Sequence, residues 1–415
     1  MDAYQKGRLL ELLIWGRRVG ALAVSDSGVG VFQYDQDWLT TPSAPVAPLA
    51  MKASKDKYSF PDLAAGEYYN LPPMFKEWIP NGFARRVFDS RSELFQLNPV
   101  AQLQRLGSMG GQAVSFQANG LEESVEDVVF DLNTLVDEAR HIASRYHHHD
   151  NASPHQSLWR LFAFLPGEQP KAFVHGSASG ERFASVCSDS GFAESLVAKF
   201  EWHPGQARAE MAYLRMARDC QISVPVTTMR EEARGVILLQ RRFDSAGEGG
   251  RCFTQSVAAL KGVAFTDKSA SYENLFALIR RLRLSRQEAI EVYRRMVFNI
   301  VANNRNDHFG KWLCLLGEGE SQWRLAPMVG CNNAAVFQSP SNKLPLSVNG
   351  KREGVTRADL KVLAGLISRF DSEADKIIDQ VIDTVSMWPR YARNTGIPSD
   401  IAEQIRLSHR VIMSQ

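Results

Sequence analysis

Between residues 9 and 40 apolar and polar positions alternate, punctuated by Gly16, Gly20, Gly28 and Gly30. A period of two places successive side chains on opposite faces of a strand, so this stretch predicts a small β-meander. Residues 40–58 carry prolines and lysines and read as a surface loop. From about 118 to 155 the chain is acidic, then helix-like, then histidine-rich. The pattern changes near Ser157. Short apolar runs at 159–165, 184–186, 196–200 and 236–239 alternate with turn residues, as strands of a sheet do. Residues 210–220 have the apolar spacing of a packed helix. After Ser271 the helical period takes over: Ser285-Arg-Gln-Glu288 is a capping box that opens a helix reaching about Ala302. Ile377, Ile378, Val381, Ile382 and Val385 share one face of a later helix. No internal repeat interrupts this order.

A chain of 415 residues buries more than one core, so two or three subdomains are expected. Hydrophobic content of 44% and charged content of 23% are ordinary for a globular protein. The net charge of +2 lacks a polyanion-binding signature, so direct nucleic-acid binding is not expected. Five cysteines are scattered without a CxxC pair, which is neither a disulfide framework nor a zinc site. No apolar run approaches the roughly 18 residues of a membrane span, and the first residues do not read as a signal peptide. A bacterial cytoplasm is the expected setting.

The candidate chemistry lies in Phe298-Asn-Ile-Val-Ala-Asn-Asn-Arg-Asn-Asp-His-Phe-Gly-Lys-Trp312 and in Leu325-Ala-Pro-Met-Val-Gly330. These two stretches have the layout of a phosphotransferase site. A kinase catalytic loop needs a carboxylate to accept the substrate hydroxyl's proton. It needs an oxygen ligand for magnesium further along the loop, and a second metal-binding carboxylate after the next strand. Those positions read Asn306, Lys311 and Gly330.

With these motifs the chain resembles the HipA family of serine/threonine kinases, the toxin halves of bacterial toxin–antitoxin pairs. The family's loop runs roughly Asn-Thr-Asp-Asp-His-x-x-Asn and its metal motif Leu-(Ala/Thr)-Pro-x-Tyr-Asp. Here Asn304-Arg-Asn-Asp-His308 and Leu325-Ala-Pro-Met328 match before the departures begin. Residues 14–22, 31–39, 71–86 and 105–111 resemble the family's N-terminal part, and Val348-Asn-Gly-Lys-Arg352 with residues 359–364 its C-terminal part. The resemblance implies an α+β fold: a small β-rich N-terminal subdomain joined to a two-lobed, protein-kinase-like body with a helical C-lobe. The corresponding boundaries are a β-rich subdomain at 1–118, an acidic and His-rich connector at 119–156, an N-lobe at 157–260 and a helical C-lobe at 261–415.

The resemblance also places a nucleotide site. Lys199 stands where the family has its phosphate-binding lysine, with Glu210 on the next helix as its partner; from the residues alone, a solvated strand-end lysine and a dipole-favoured helix-start glutamate read equally well. Gly176-Ser-Ala-Ser-Gly-Glu-Arg182 stands where the family has a glycine-containing loop over the phosphates, although Gly176 and Gly180 would also suit any hairpin. Arg182 falls near the loop's usual lysine. The serine that family members autophosphorylate aligns near His175, beside Ser177 and Ser179. Arg241-Arg-Phe-Asp244 resembles the hinge Glu-Arg-Phe-Asp, in which Phe243 is either an adenine wall or core.

An amide at Asn306 has no useful proton affinity near neutrality. Asp307 is adjacent, but a shift of register onto it displaces His308, which fits the loop motif as it stands, and puts Trp312 at the metal-ligand position. Loss of a general base costs about 10²–10⁴-fold, and loss of charge stabilisation a further factor on the order of 10²–10³. Lys311 offers an ammonium in the place of magnesium. The expected function is therefore a HipA-like pseudokinase that binds ATP without magnesium, or no nucleotide at all, and acts on a protein partner, either antitoxin-like or a cognate kinase. The alternative is a divergent serine/threonine kinase using Asp307, or another ATP-dependent transferase. The cluster His147–His149, with Asp150, His141 and His155, reads as a solvated linker rather than a metal site. Trp15, Trp38 and Trp78 read as core or subdomain interface.

Overall fold

Three antiparallel sheets organise the chain. The computed structural model describes residues 9–411 apart from 41–44, 64, 92–96, 108–112, 119–126, 145–157, 178, 186–190, 246–250, 265–266 and 338–342. The cluster His147–His149, Asp150 and His155 lies outside the described residues.

The first sheet has the order β4-β3-β2-β1-β5, built from β1 (Leu9–Ile14), β2 (Arg17–Val24), β3 (Gly30–Tyr34), β4 (Lys57–Ser59) and β5 (Val114–Gln117). The period of two is visible in β1, where Leu10, Leu12 and Ile14 are buried and alternate with more exposed neighbours. Trp15 and Gly16 turn the chain into β2 with φ of 52° and 72°, the left-handed values that a tight hairpin requires. The stretch 40–58 differs from the surface loop expected. Val46, Ala47 and Met51 are buried, and Tyr34 donates its hydroxyl to Met51 O at 2.6 Å. Three apolar side chains inside a Pro-rich segment outweigh its loop composition, because they join the buried apolar cluster that holds Leu10, Leu12 and Phe32.

The second sheet has the order β10-β11-β9-β7-β8-β6. Its strands are β6 (Val129–Phe130), β7 (Lys171–Gly176), β8 (Phe183–Ala184), β9 (Glu194–Phe200), β10 (Thr227–Glu232) and β11 (Gly235–Arg241). The helix α1 (Leu132–Ser144) follows β6, so part of the stretch read as a connector contributes to this sheet. The apolar run at 159–165 is not a strand. It starts with a helical turn, which carries Trp159 edge-on to Phe88 and Phe162 edge-on to Phe83. The helix α2 (Gln206–Asp219) packs Ala207 and Met211 against Val236 and Leu238 of β11.

The third sheet is small: β12 (Cys252–Ser256), β13 (Leu313–Gly317) and β14 (Arg324–Leu325). Around it stand helices α3 (Val257–Lys261), α4 (Tyr272–Arg281), α5 (Arg286–Val301), α6 (Asp371–Ser386), α7 (Trp388–Thr395) and α8 (Ser399–Ser408). On α6, Ile377, Ile378, Val381 and Val385 face the core as their spacing predicts. The N-terminal region is docked on this helical part. Trp78 lies 5.9 Å from Phe253 between ring centroids, Trp15 Nε1 donates to Arg251 O at 2.7 Å, and Gln255 Nε2 donates to Met74 O at 3.1 Å. The architecture is α+β, with a β-rich N-terminal region and a helical C-terminal half.

Candidate functional site

Helix α5 delivers the central loop. Its capping box forms: Ser285 Oγ accepts from the Glu288 N–H, and Glu288 Oε2 accepts from the Ser285 N–H at 2.8 Å. The same carboxylate has a second task, since Glu288 Oε1 accepts from the Leu325 N–H at 2.7 Å. Arg295, three turns into α5, donates to Ala326 O at 2.8 Å. The start of the Leu325–Gly330 segment is thus tied to the helix that precedes the loop.

Past Val301 the chain leaves the helix through Asn303, whose φ is 55°. A ladder of amides then fixes the loop. Asn304 Nδ2 donates to Asn299 Oδ1 at 2.9 Å, Asn304 Oδ1 accepts from the Asn306 N–H at 3.2 Å, and Asn299 Nδ2 donates to the Tyr272 hydroxyl oxygen at 3.2 Å. Asp307 is buried at the end of this ladder. Its Oδ2 accepts from the Tyr272 hydroxyl, and its Oδ1 accepts from Trp312 Nε1 at 2.7 Å. Burial raises the Asp307 carboxyl to about 6, against the hydrogen bonds from Tyr272, Trp312 and Asn299 and the Arg295 charge, all of which favour the anion. His308 is held neutral: burial first, then the Lys311 and Lys76 charges, lower it to about 3. Its Nδ1 accepts from the Gly310 N–H at 3.2 Å, which leaves the ring proton on Nε2.

Asn306, Lys311 and Gly330 meet in space. Gly330 has φ of 66°, and a Cβ placed on it would stand 3.3 Å from Asn306 Nδ2 and 3.3 Å from Lys311 Cδ. The three positions that the sequence set against a phosphotransferase layout are therefore one locus. Asn299, Asn304, Asn306, Asp307, Lys311 and Met328 line a small cleft there.

Lys311 ends the 3₁₀ turn Phe309–Lys311 that leads into β13. Burial lowers it to about 8, helped by the Lys199 ammonium and opposed by the Glu210 and Glu77 carboxylates. Lys199 on β9 forms an ion pair with Glu210 on α2, and both side chains are almost fully buried. Lys171 on β7 lies directly across from Lys199, and its Nζ donates to Pro166 O at 2.6 Å. Burial and the Lys311 and Lys199 charges push Lys171 well below the ordinary lysine range. Lys199 and Lys171 are thus register partners across the β7–β9 pair, with the Glu210 carboxylate bonded to Lys199.

The other sequence-predicted residues are spread around this centre. Ser177 and Arg182, which follow β7 and precede β8, are bonded to each other: the Ser177 N–H donates to Arg182 O at 3.0 Å, and Ser177 Oγ lies 3.1 Å from Ser179 Oγ. Gly180 has φ of 71°, and its carbonyl accepts from Arg230 at 3.2 Å. Arg182 is exposed, and His175 is buried with Nδ1 3.1 Å from Ser195 Oγ. Arg241 is exposed, with Glu194 at 3.9 Å. Phe243 packs against Cys252, Leu315 and Ala326. Beside it Arg242, buried, makes two bonds to Asp244 at 3.0 and 3.1 Å and stacks 4.2 Å from the Phe173 ring centroid.

Sequence reasoning missed Glu77, Tyr272, Lys171 and the amide ladder. Glu77 comes from the N-terminal 3₁₀ helix Pro73–Trp78, a region with no phosphotransferase motif. Tyr272 follows the N-cap Ser271 and carries no local signal of its role.

A magnesium ion does not fit the residues present. At the two positions expected from the sequence to carry metal ligands stand a cation, Lys311, and a residue with no side chain, Gly330, while both Asp307 oxygens already hold donors. Among the described residues no group of three or more His, Cys, Asp or Glu side chains is gathered to hold a metal.

Comparison with known proteins follows the same outline. The family description "HipA N-terminal domain" matches residues 10–117, and "HipA-like C-terminal domain" matches residues 163–388. The second match spans more than half of the chain, and the protein belongs to the HipA family. Its fold is similar to HipA of Shewanella oneidensis MR-1, solved in a toxin–antitoxin complex with HipB and operator DNA. The TM-score is 0.67 at 13% identity, over 96% of this chain and 95% of that one. The Helicobacter pylori proinflammatory kinase CtkA matches over 54% of this chain and 87% of its own, at 11% identity and a TM-score of 0.36. No curated protein sequence matches. Among the described residues no helix is long and apolar enough to cross a membrane.

Proposed function

We propose that this chain is a HipA-like pseudokinase that holds a nucleotide without a metal ion and acts by binding a protein partner. The observation that carries this reading is the meeting of Asn306, Lys311 and Gly330 at one locus, with an amide, an ammonium and no side chain where transfer needs a base and two ligands. The two deficits multiply. A missing base removes about 10²–10⁴-fold, and missing charge stabilisation about 10²–10³-fold more. The ammonium groups of Lys199 and Lys311, with Lys171 beside them, support retention of an anionic ligand such as the triphosphate of ATP. Lys311 takes the electrostatic part of the magnesium ion and none of its coordination chemistry.

The partner is of antitoxin type, or a cognate active kinase of the same family. The Shewanella complex of HipA with HipB and operator DNA supports the first, with any DNA contact made through the partner. A net charge of +2 agrees with that indirect route.

A second reading keeps one observation of its own: Asp307 lines the same cleft, and its carboxyl sits near 6, a value suited to a general base. In that reading the chain is a divergent serine/threonine kinase or another ATP-dependent transferase. Incubation of the purified protein with ATP and magnesium, alone and with the product of a neighbouring helix-turn-helix reading frame, separates the two. The pseudokinase gives no phosphorylated or nucleotide-modified peptide by mass spectrometry. A modified peptide that disappears in Asp307→Ala would establish the enzyme instead.

A further inference from the structure

We infer that His409, just past α8, is a positioning residue for the candidate site: through Tyr213 it seats the helix that carries Glu210 on the end of α5, where the loop to His308 begins. The inference rests on that locus being the ligand site. Its test uses no ligand, so its failure is separable from a failure of the nucleotide reading.

The end of a helix leaves its last carbonyls without a partner inside the helix, and α5 must find acceptances for them elsewhere. The loop takes two: the Asn304 N–H donates to Asn299 O at 2.8 Å, and the Asn303 N–H donates to Ile300 O at 3.3 Å. The next two are met from far away in the sequence. The Arg410 N–H donates to Val301 O at 2.8 Å, and Tyr213 donates its hydroxyl to Ala302 O at 2.7 Å. Tyr213 stands three residues after Glu210 on α2, and both side chains are buried on one face of that helix. The Tyr213 ring is also edge-on to Phe298 of α5, 6.2 Å between centroids.

His409 joins these two caps. Its Nε2 lies 3.0 Å from the Tyr213 hydroxyl oxygen. A phenol has one proton, and the Ala302 carbonyl requires it, so the imidazole donates from Nε2 and the phenol oxygen accepts. Burial and then the Arg406 charge lower the ring to about 4, which leaves it neutral near pH 7 with that single N–H. The ring stands edge-on to Trp388 at 5.3 Å and to Tyr213 at 6.0 Å between centroids. On the preceding residue, Ser408 Oγ accepts from Asn333 Nδ2 at 2.6 Å, and Asn333 is buried three residues past Gly330. Three consecutive residues thus each hold a different part of the site: Ser408 the stretch after Gly330, His409 the Glu210 helix, and Arg410 the start of the loop.

Hydrogen–deuterium exchange of the full-length protein without ligand reads this coupling, in peptides from α2, from the loop between α5 and β13, and from the end of α8. His409→Ala should speed exchange about 5- to 10-fold in the first two as well as in the third, the effect of one lost hydrogen bond on a local opening. His409→Gln keeps an amide N–H in the place of Nε2 and should return α2 and the loop toward wild type. Tyr213→Phe keeps the ring and serves should His409→Ala fail to fold. It should speed exchange in the same peptides, and adding His409→Ala to it should do little more, because one linkage has been cut twice. Faster exchange confined to the end of α8 would overturn the inference. So would a His409→Gln protein whose loop exchanges as fast as that of His409→Ala, or additive effects in the double variant.

Discussion

Trp312 donates its indole N–H to Asp307 Oδ1 at 2.7 Å, so the two residues that a shifted register would make metal ligand and catalytic base are bonded to each other. The Tyr272 hydroxyl takes the other oxygen. This carboxylate fastens the loop to α4 and β13.

Asp307→Ala should accordingly act on stability. It leaves the Trp312 and Tyr272 donors buried without an acceptor, at about 1–3 kcal/mol each. Thermal or urea unfolding should show a loss of that order. An unchanged midpoint would mean the loop does not depend on Asp307.

Lys311 makes two pH-dependent quantities predictable. Its amine is lowered to about 8 in the folded protein from about 10.5. Below pH 8 both folded and unfolded chains carry the proton, and the cost of burying the charge is fully present. Between about 8 and 10.5 the unfolded chain binds more protons, so this group's contribution to stability rises with pH. Lys311→Met should remove that rise from the pH–stability profile. Metal-free anion binding should show the opposite trend, weakening as pH increases through about 8, and Lys311→Met should flatten it.

The Lys199–Glu210 pair is buried on both sides, so removing one member leaves an uncompensated charge. Glu210→Gln should cost about 3–5 kcal/mol in unfolding experiments. The isosteric pair Lys199→Met with Glu210→Gln should cost less than either change alone.

Restoring the three replaced positions is the constructive test. Gly330→Asp alone adds a Cβ 3.3 Å from Asn306 Nδ2 and Lys311 Cδ, in a left-handed conformation that Asp tolerates at roughly 1–2 kcal/mol. Together with Lys311→Asn, which removes the crowding methylenes, and Asn306→Asp, it should create a magnesium-dependent stabilisation by ATP. Calorimetric titration with magnesium in the presence of ATP would detect it.

The sequence showed much of this arrangement, for identifiable reasons. The capping box at Ser285 and Glu288 and the apolar face of α6 follow short-range rules, and both are in place. The family was legible because the order of its segments along the chain is specific. The period of two in β1 also held. Residues 159–165 were misjudged because a short apolar run does not distinguish strand from helical turn, and Phe83 and Phe88 decide the matter from elsewhere in the chain. Residues 40–58 were misjudged because Pro and Lys content hides three buried apolar side chains. Glu77, Tyr272 and Lys171 were invisible for a different reason. Their meaning comes from tertiary contacts with residues far off in the sequence, and no local pattern records these.

The most direct measurement is the thermal midpoint of the purified protein against ATP, with magnesium and with EDTA, using Lys199→Ala as control. A ligand at about 100 times its dissociation constant stabilises a fold by roughly 2.7 kcal/mol, which a melting curve resolves easily. The account predicts a shift that persists in EDTA and is lost in Lys199→Ala. A shift that appears only with magnesium would contradict it, because it would mean that a metal site has been rebuilt around residues other than Lys311 and Gly330.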